Sequence, residues 1–181
     1  MATAPSGGML AEVQAKYPYI AGVVVGAMVV RERVHQDGSV SLETLVLRRA
    51  ANDTFPLKWE IPGGGADSRV DRALTDTAVR ELYEETGLTA ERVVCPVGKI
   101  IIYMDEEGND WAIATFLIEV EDDQMPVKID PNEHCEYAWI TEEEAYNNSF
   151  TSPSGRHTRS LQFVSQQMRK TILEGFRIAA R

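Results

Sequence analysis

The sequence predicts an α/β chain in which a mixed β-sheet is packed between helices. Two observations lead there. Apolar and alternating runs recur at Ile20 to Val34, Glu43 to Arg49 and Trp111 to Val120. Between and after them lie two substantial helical patterns, one over Arg69 to Thr86 and one closing the chain over His157 to Ile178. Strands that alternate with helices bury their apolar faces by layering helices on a sheet.

In order, residues 1–8 are small and polar and are expected to be disordered. Met9 to Lys16 can form a short helix, and residues 1–19 as a whole read as an extension ahead of a single domain spanning 20–181. Ile20 to Val34 is Val-rich and reads as a long strand, turned at His35-Gln36-Asp37-Gly38, where Asp-Gly is a hairpin signal. Glu43 to Arg49 pairs back. Ala50 to Leu57 is a loop, and Lys58 to Ile61 is a short strand feeding a glycine run. Trp59 on that strand has two readings, core packing or one wall of a base-stacking pocket, and burial is the commoner use of a large aromatic.

In the middle helix, Leu74, Ala78 and Leu82 recur every four residues, so one stripe faces a core. Ser68 with Asp71 makes a capping box, or Asp71 is itself the cap. Gly87 ends the helix, because glycine accepts the left-handed conformation. Beyond it, Arg92 to Asp105 has strand character broken by Pro96 and Gly98, firmest over Lys99 to Met104. A hairpin connection at Glu106 to Asp110 leads into the Trp111 strand, and Glu119 to Asp123 reads as a solvated acidic run. Tyr103 and Phe116 have two readings, one wall of a base pocket or the core, and as strand residues they are expected in the core. Glu136 to Ile140 reads as a short strand, and Thr141 with Glu144 as the capping box of a further helix. Asn147 to Gly155 is a turn-rich linker. The closing helix is expected to bury Leu161, Val164, Met168 and Ile172, with Gly175 weakening its end.

A chain of 181 residues, 44% hydrophobic and 25% charged, is an ordinary globular composition without room for a second large domain. A net charge of −10 disfavours polymeric nucleic acid and anionic membrane as partners, which need basic patches. It leaves phosphate-bearing small molecules open, because a bound cation reverses the local potential. Two cysteines, Cys95 and Cys135, make no disulfide framework and read as core or half-buried thiols of a cytosolic protein. Residues 1–8 lack the basic and apolar pattern of a signal peptide, and the apolar run Ile20 to Val30 is too short to span a bilayer.

The feature that calls for a chemical explanation is the end of the middle helix. Glu81, Glu84 and Glu85 lie at i, i+3 and i+4, within roughly 100° of arc. Like charges at this spacing repel, and they sit where the helix dipole is negative. A hard divalent cation gives such a face a purpose, since Mg²⁺ takes carboxylates, waters and phosphate oxygens. A plain solvated acidic face is the alternative. Ahead of the helix, Pro62-Gly63-Gly64-Gly65 lets backbone approach a ligand closely, or serves only to turn the chain.

Arg80-Glu81-Leu82-Tyr83-Glu84-Glu85-Thr86-Gly87-Leu88 resembles the R-E-U-x-E-E-x-G-U half of the Nudix box, U being a bulky apolar residue, and Trp59 to Gly64 resembles the strand and loop leading into it. The first half departs from the family pattern G-x5-E-x7-R-E. Six residues on from Gly64 stands Val70, and eight before Arg80 stands Arg72, so the connection is two residues longer than usual. Asp67 and Asp71 are the nearest acids, which leaves the role of the family's first Glu open. The resemblance implies an α/β/α sandwich and a hydrolase that cleaves a nucleoside diphosphate linked to another moiety, by attack of water on phosphorus. It implies Glu81, Glu84 and Glu85 as ligands of Mg²⁺, with Mn²⁺ as the alternative ion, and Arg80 as the residue orienting the glutamates.

The segment Asp130 to Ile140 resembles the family's E-H-x-E-Y-x-W-U stretch, which often adds a carboxylate facing the metals. Glu133 is the candidate and Glu136 the runner-up. His134 reads as a hydrogen-bonding loop residue, because Mg²⁺ prefers oxygen. Either Glu81 or Glu133 suits the general base. Candidates for substrate contact are the backbone of Gly63 and Gly64 and the side chain of Lys58. Arg48 and Arg49 read as solvated strand-end charges, although the family's architecture brings this region to the substrate and suggests a phosphate contact by one of them, with Arg49 the candidate. The ligand that the resemblance suggests is a small nucleotide, and the assembly a homodimer. Two other classes stay open: a Nudix-fold module that binds a nucleotide without hydrolysing it, and an acidic helix serving only a protein partner.

Overall fold

β1 (Gly22–Val34) is the strand around which the rest assembles, and its alternation explains why. Val23, Val25, Ala27 and Val29 face one side of the sheet and Met28 the other, all 2% exposed or less. A strand apolar on both faces must be covered on both, and it is. The computed structural model describes residues 9–151 and 157–181.

β2 (Val40–Arg49) and β7 (Asp110–Val120) flank β1. β2 runs antiparallel to it, Val30 opposite Thr44, whereas β7 runs parallel, Gly22 opposite Trp111 through Val29 opposite Ile118. The sheet is therefore mixed. β3 (Trp59–Glu60) and β8 (His134–Thr141) pair with β2, β4 (Gly63–Gly65) with β1, and β5 (Ala90–Pro96) and β6 (Ile101–Met104) with β7. The break read at Pro96 and Gly98 is the junction between β5 and β6.

α2 (Leu74–Thr86) covers one face, where Leu74, Ala78 and Leu82 pack on Val25, Ala27, Leu45 and Leu47. Each of those two helix leucines is fully buried, which stabilises the docking by roughly 2 kcal/mol apiece. α1 (Met9–Lys16) adds Val13 to the same core, so the segment read as an N-terminal extension contributes to packing. The expected disorder of residues 1–8 lies outside the described residues. α4 (Gln166–Ala179) covers the opposite face with Ile172 and Phe176 against Met28, Val46 and Trp59. This is the α/β/α sandwich.

Trp59 is 2% exposed and meets Phe150 edge-to-face at 5.4 Å, so it serves packing; Phe116 is likewise core. Gly175 is the closest approach of α4 to the sheet, since a Cβ there would stand 2.1 Å from Sδ of Met28. The capping box at α3 (Glu142–Asn147) is complete, Thr141 and Glu144 each accepting from the other's backbone N–H.

Two helix starts differ from the sequence reading. α2 begins at Leu74 rather than Arg69, because the carboxylate of Asp71 accepts from the Asp67 N–H, the Thr77 hydroxyl and the Arg80 guanidinium instead of capping a helix. Its N-cap is Ala73, with no side-chain cap. α4 begins at Gln166, capped by Ser165, rather than at His157. The preceding residues are extended: β10 (Thr158–Ser160) pairs with β9 (Ser149–Thr151), and Trp59 exchanges hydrogen bonds with Gln162 and Val164. Leu161 is thus buried from an extended segment. Part of the linker read at Asn147 to Gly155 forms the end of α3 and β9, and its residues 152–155 lie outside the described residues. Glu119, read as part of a solvated run, is a β7 residue paired with Arg92. Cys95 is half-buried, but Cys135 is exposed. Among the described residues no helix is long and apolar enough to cross a membrane.

Candidate active site

The glycines are a strand and not a turn. β4 lies antiparallel on β1, Gly63 opposite Gly26 and Gly65 opposite Val24. At Gly63 a Cβ would stand 2.3 Å from the Val25 carbonyl oxygen, so only glycine fits between the backbones. β4 packs under α2 and gives two of its glutamates a floor. The Gly63 N–H donates to Oε2 of Glu85 at 2.7 Å. The Glu81 carboxylate lies over Gly64, within 2.5 Å of where a Cβ would be. Gly64→Ala is therefore expected to displace Glu81 and lower turnover about 10-fold or more without unfolding the chain; steady-state kinetics beside a thermal melt checks this.

Arg80 ties the helix to its lead-in. Nη1 donates to Glu81 at 2.7 Å and to Glu84 at 3.0 Å, and Nη2 donates to the Gly65 carbonyl and to Asp71. Asp71 is the acid that the lengthened connection delivers to this place, and its side chain is 2% exposed. The hydrogen bond from Arg80 is the largest reason its carboxyl is held down at about 2, and Asp71 in turn raises Arg80 further above its ordinary value.

Glu81 and Glu85 line a cleft of about 480 Å³ with Gly63 to Gly65, Glu133 and His134. Glu133 is exposed at the rim, where its carbonyl accepts from the Ala50 N–H beside the end of β2. Glu84 points outward, its side chain 56% exposed, and it reaches this group through Arg80. Glu136 is turned away, paired with Arg48 and Arg159. Arg49 lines the cleft but is committed to Glu60 at 2.6 Å and Asp53 at 2.5 Å. Lys58 is half-buried and does not line it.

The electrostatics are those of a cation site. Burial above all pushes Glu85 up to about 9; the Gly63 N–H opposes this, and the charges of Glu60, Glu81 and Glu133 add to it. Burial also raises Glu81 against the pull of Arg80. Buried carboxylates whose anions are this disfavoured gain from a divalent ion, and an oxygen-rich donor set fits Mg²⁺ or Mn²⁺. The sequence reading did not single out Glu60. It stands beside Trp59 in the matched strand, but a lone Glu in a two-residue strand has no spacing signal.

The family model described as the NUDIX domain matches residues 22–161. The chain belongs to the Nudix family. As a Nudix-type pyrophosphohydrolase it acts on phosphoric anhydrides. No curated protein matches it by sequence. Among solved Nudix-fold structures, a MutT protein from Methanosarcina mazei is 22% identical, with a TM-score of 0.62 over 88% of this chain and 96% of that one. A C. elegans Ap4A hydrolase in a binary complex is 19% identical, with a TM-score of 0.62 over 88% and 98%. The Nudix domain of Shewanella oneidensis NrtR, in complex with ADP ribose, is 20% identical, with a TM-score of 0.59 over 94% and 98%. At these identities the likeness is one of fold.

Proposed function

We propose that this Nudix protein is a Mg²⁺-dependent hydrolase cleaving the pyrophosphate linkage of a nucleoside diphosphate joined to a second moiety, such as a nucleotide sugar, a dinucleotide or a nucleoside triphosphate. The observation that supports this best is Glu85, a buried carboxylate at the cleft with a single backbone N–H on it and three further carboxylates nearby. Glu81, Glu84 and Glu85 are the proposed ion ligands. When bound, the ion supplies Lewis-acid stabilisation of charge on the pyrophosphate oxygens. Glu133 at the rim, or Glu81, takes the proton from the attacking water. Arg80 orients Glu81 and Glu84, and Gly64 leaves the space in which Glu81 sits. Phosphoryl transfer depends on such positioning and charge neutralisation more than on covalent chemistry. Two free cysteines accord with a cytosolic setting.

The test is product release from a panel of nucleotide sugars, dinucleotides and nucleoside triphosphates, with Mg²⁺ and with chelator. Turnover of one class that chelation abolishes is expected. Turnover indifferent to chelation would remove the metal from the reading, and a folded, Mg²⁺-binding protein that turns over none of the panel would be a nucleotide-binding module.

A further inference from the structure

β8 is an edge strand. It pairs with β2 along one side, and among the described residues no other strand pairs with it. Such a strand turns every second N–H and C=O away from the sheet, which makes it a template for another extended chain. Pro, Lys and bulges are the usual means of blunting an edge. β5, at the far end of the sheet, has register shifts along its length and ends in Pro96. β8 reads His-Cys-Glu-Tyr-Ala-Trp-Ile-Thr, with neither Pro nor Lys, and its register shift lies only at its start, opposite Arg48 and Arg49. Successive strand residues point to opposite faces, so a cavity lined by Glu136, Tyr137, Ala138 and Trp139 runs along the edge itself. It measures about 1180 Å³. Val127 bounds it from the core under α2 and Phe150 from the core under α4, so both layers wall the groove. Exposed Val34, Met125 and Tyr137 give it an apolar rim.

We propose that the β8 edge is a docking site for an extended, cationic segment of a partner protein, which adds to the sheet as a further strand. Backbone pairing supplies affinity in such a complex, and the side chains around the edge choose the partner. The choice here is one of charge. The arginines at the groove are already engaged: Arg31 and Arg33 both pair with the buried Glu43, and Arg48 and Arg159 both pair with Glu136. His35 is bonded to Ser41. The carboxylates at the Thr141 end are free. Glu32 lines the groove, Glu142 and Glu143 lie between its lining residues Thr141 and Glu144, and Asp122 stands just ahead of its lining segment Gln124 to Val127. All four are exposed and, among the described residues, belong to no ion pair. Each arginine pair keeps one positive charge beyond its carboxylate, and Glu32, Asp122, Asp123, Glu142, Glu143 and Glu144 together outweigh them. A second copy of the chain, with the same acidic rim and a net charge of −10, fits this edge less well than a segment of opposite sign.

The probe is a short fluorescent peptide of alternating Lys and Val, followed by anisotropy against the full chain. Beside it stand its Glu-for-Lys counterpart and a form of the Lys peptide N-methylated at every residue. The Lys peptide is expected to bind about 10-fold more tightly than either, since the first control reverses the charge and the second keeps it without any backbone donor. Amide hydrogen exchange with the Lys peptide bound is expected to slow over Cys135 to Thr141 and not over β5. Glu32→Lys combined with Glu142→Lys, both exposed and outside the catalytic cleft, is expected to weaken the Lys peptide about 10-fold and to leave turnover unchanged. Equal binding of the N-methylated peptide reduces the contact to charge attraction without strand addition and overturns the proposal. Slowed exchange confined to regions away from β8, or no binding of the Lys peptide, overturns it too. A wild type that sediments as a dimer with its β8 amides already protected, and loses both on dilution, gives the edge to a second copy and overturns it as well.

Discussion

Glu85→Gln lowers metal-dependent turnover by about 100-fold or more, the scale expected when a central electrostatic group is removed. The substitution is nearly isosteric. The amide oxygen still accepts from the Gly63 N–H, so β4 keeps its contact with α2. What disappears is a negative charge facing the ion, in a pocket whose other charges stay where they are. Stability without metal should not fall, because the fold already disfavours an anion at this buried position. Initial rates across an Mg²⁺ titration, with thermal melts in chelator, check both halves. Turnover within a few-fold of wild type would place the ion elsewhere. A melt lowered by several degrees would mean that Glu85 is structural.

Asp71→Asn separates the ion pair at the other end of the helix. The Asp71 carboxyl stands at about 2 in the folded protein against an ordinary 3.8, mainly through its hydrogen bond from Arg80. A depressed carboxyl contributes stability that is fully present above the unfolded value and is lost as pH falls from about 3.8 toward about 2. The variant is therefore expected to be less stable at pH 7 by about 2 kcal/mol. Its stability should also change less than that of wild type across that acid window. Denaturant titrations at pH 7 and pH 3 measure the two slopes. Arg80 would retain Glu81 and Glu84 but lose its anchor, so turnover should drop about 10-fold, through a weaker requirement-setting step of ion binding more than through substrate affinity. Identical acid profiles for the two proteins would show that the pair contributes nothing.

The layering of the fold was legible because β1 and α2 announce themselves. Valines on both faces of a long strand require cover on both sides, and the spacing of Leu74, Ala78 and Leu82 has one period to fit. The starts of α2 and α4 were not legible. Asp71 and Ser68 look like caps until a guanidinium nine positions later claims the aspartate, and the residues after His157 look helical until Trp59 pairs with their backbone. Both are tertiary demands, which local pattern does not contain. At the site, Glu81 and Glu85 were visible as neighbours on one helix face, and Glu133 through the resemblance of its segment. Arg49 was visible as a cation, but its two carboxylate partners depend on how the loop after it folds. Glu60 and His134 stand 74 positions apart in sequence, and only the closed sheet brings Nε2 of His134 to the Glu60 carboxylate.

The extra length ahead of α2 also says something about how this family can vary. The segment from Gly65 to Asp71 is a hydrogen-bonded turn, the Val70 and Asp71 N–H groups both donating to the Asp67 carbonyl; adding residues to such a connector is entropically inexpensive, since even doubling a loop costs only about 0.6 kcal/mol. What must stay fixed is the reach from its last carboxylate to Arg80, not the count of residues between them. In this chain the acid that ends the longer connection is Asp71, and it stands at the Arg80 guanidinium. Descendants of this chain are thus free to drift in spacing, provided each insertion still lands an acid beside Arg80, and a pattern that counts positions will lose sight of them before the enzyme itself does.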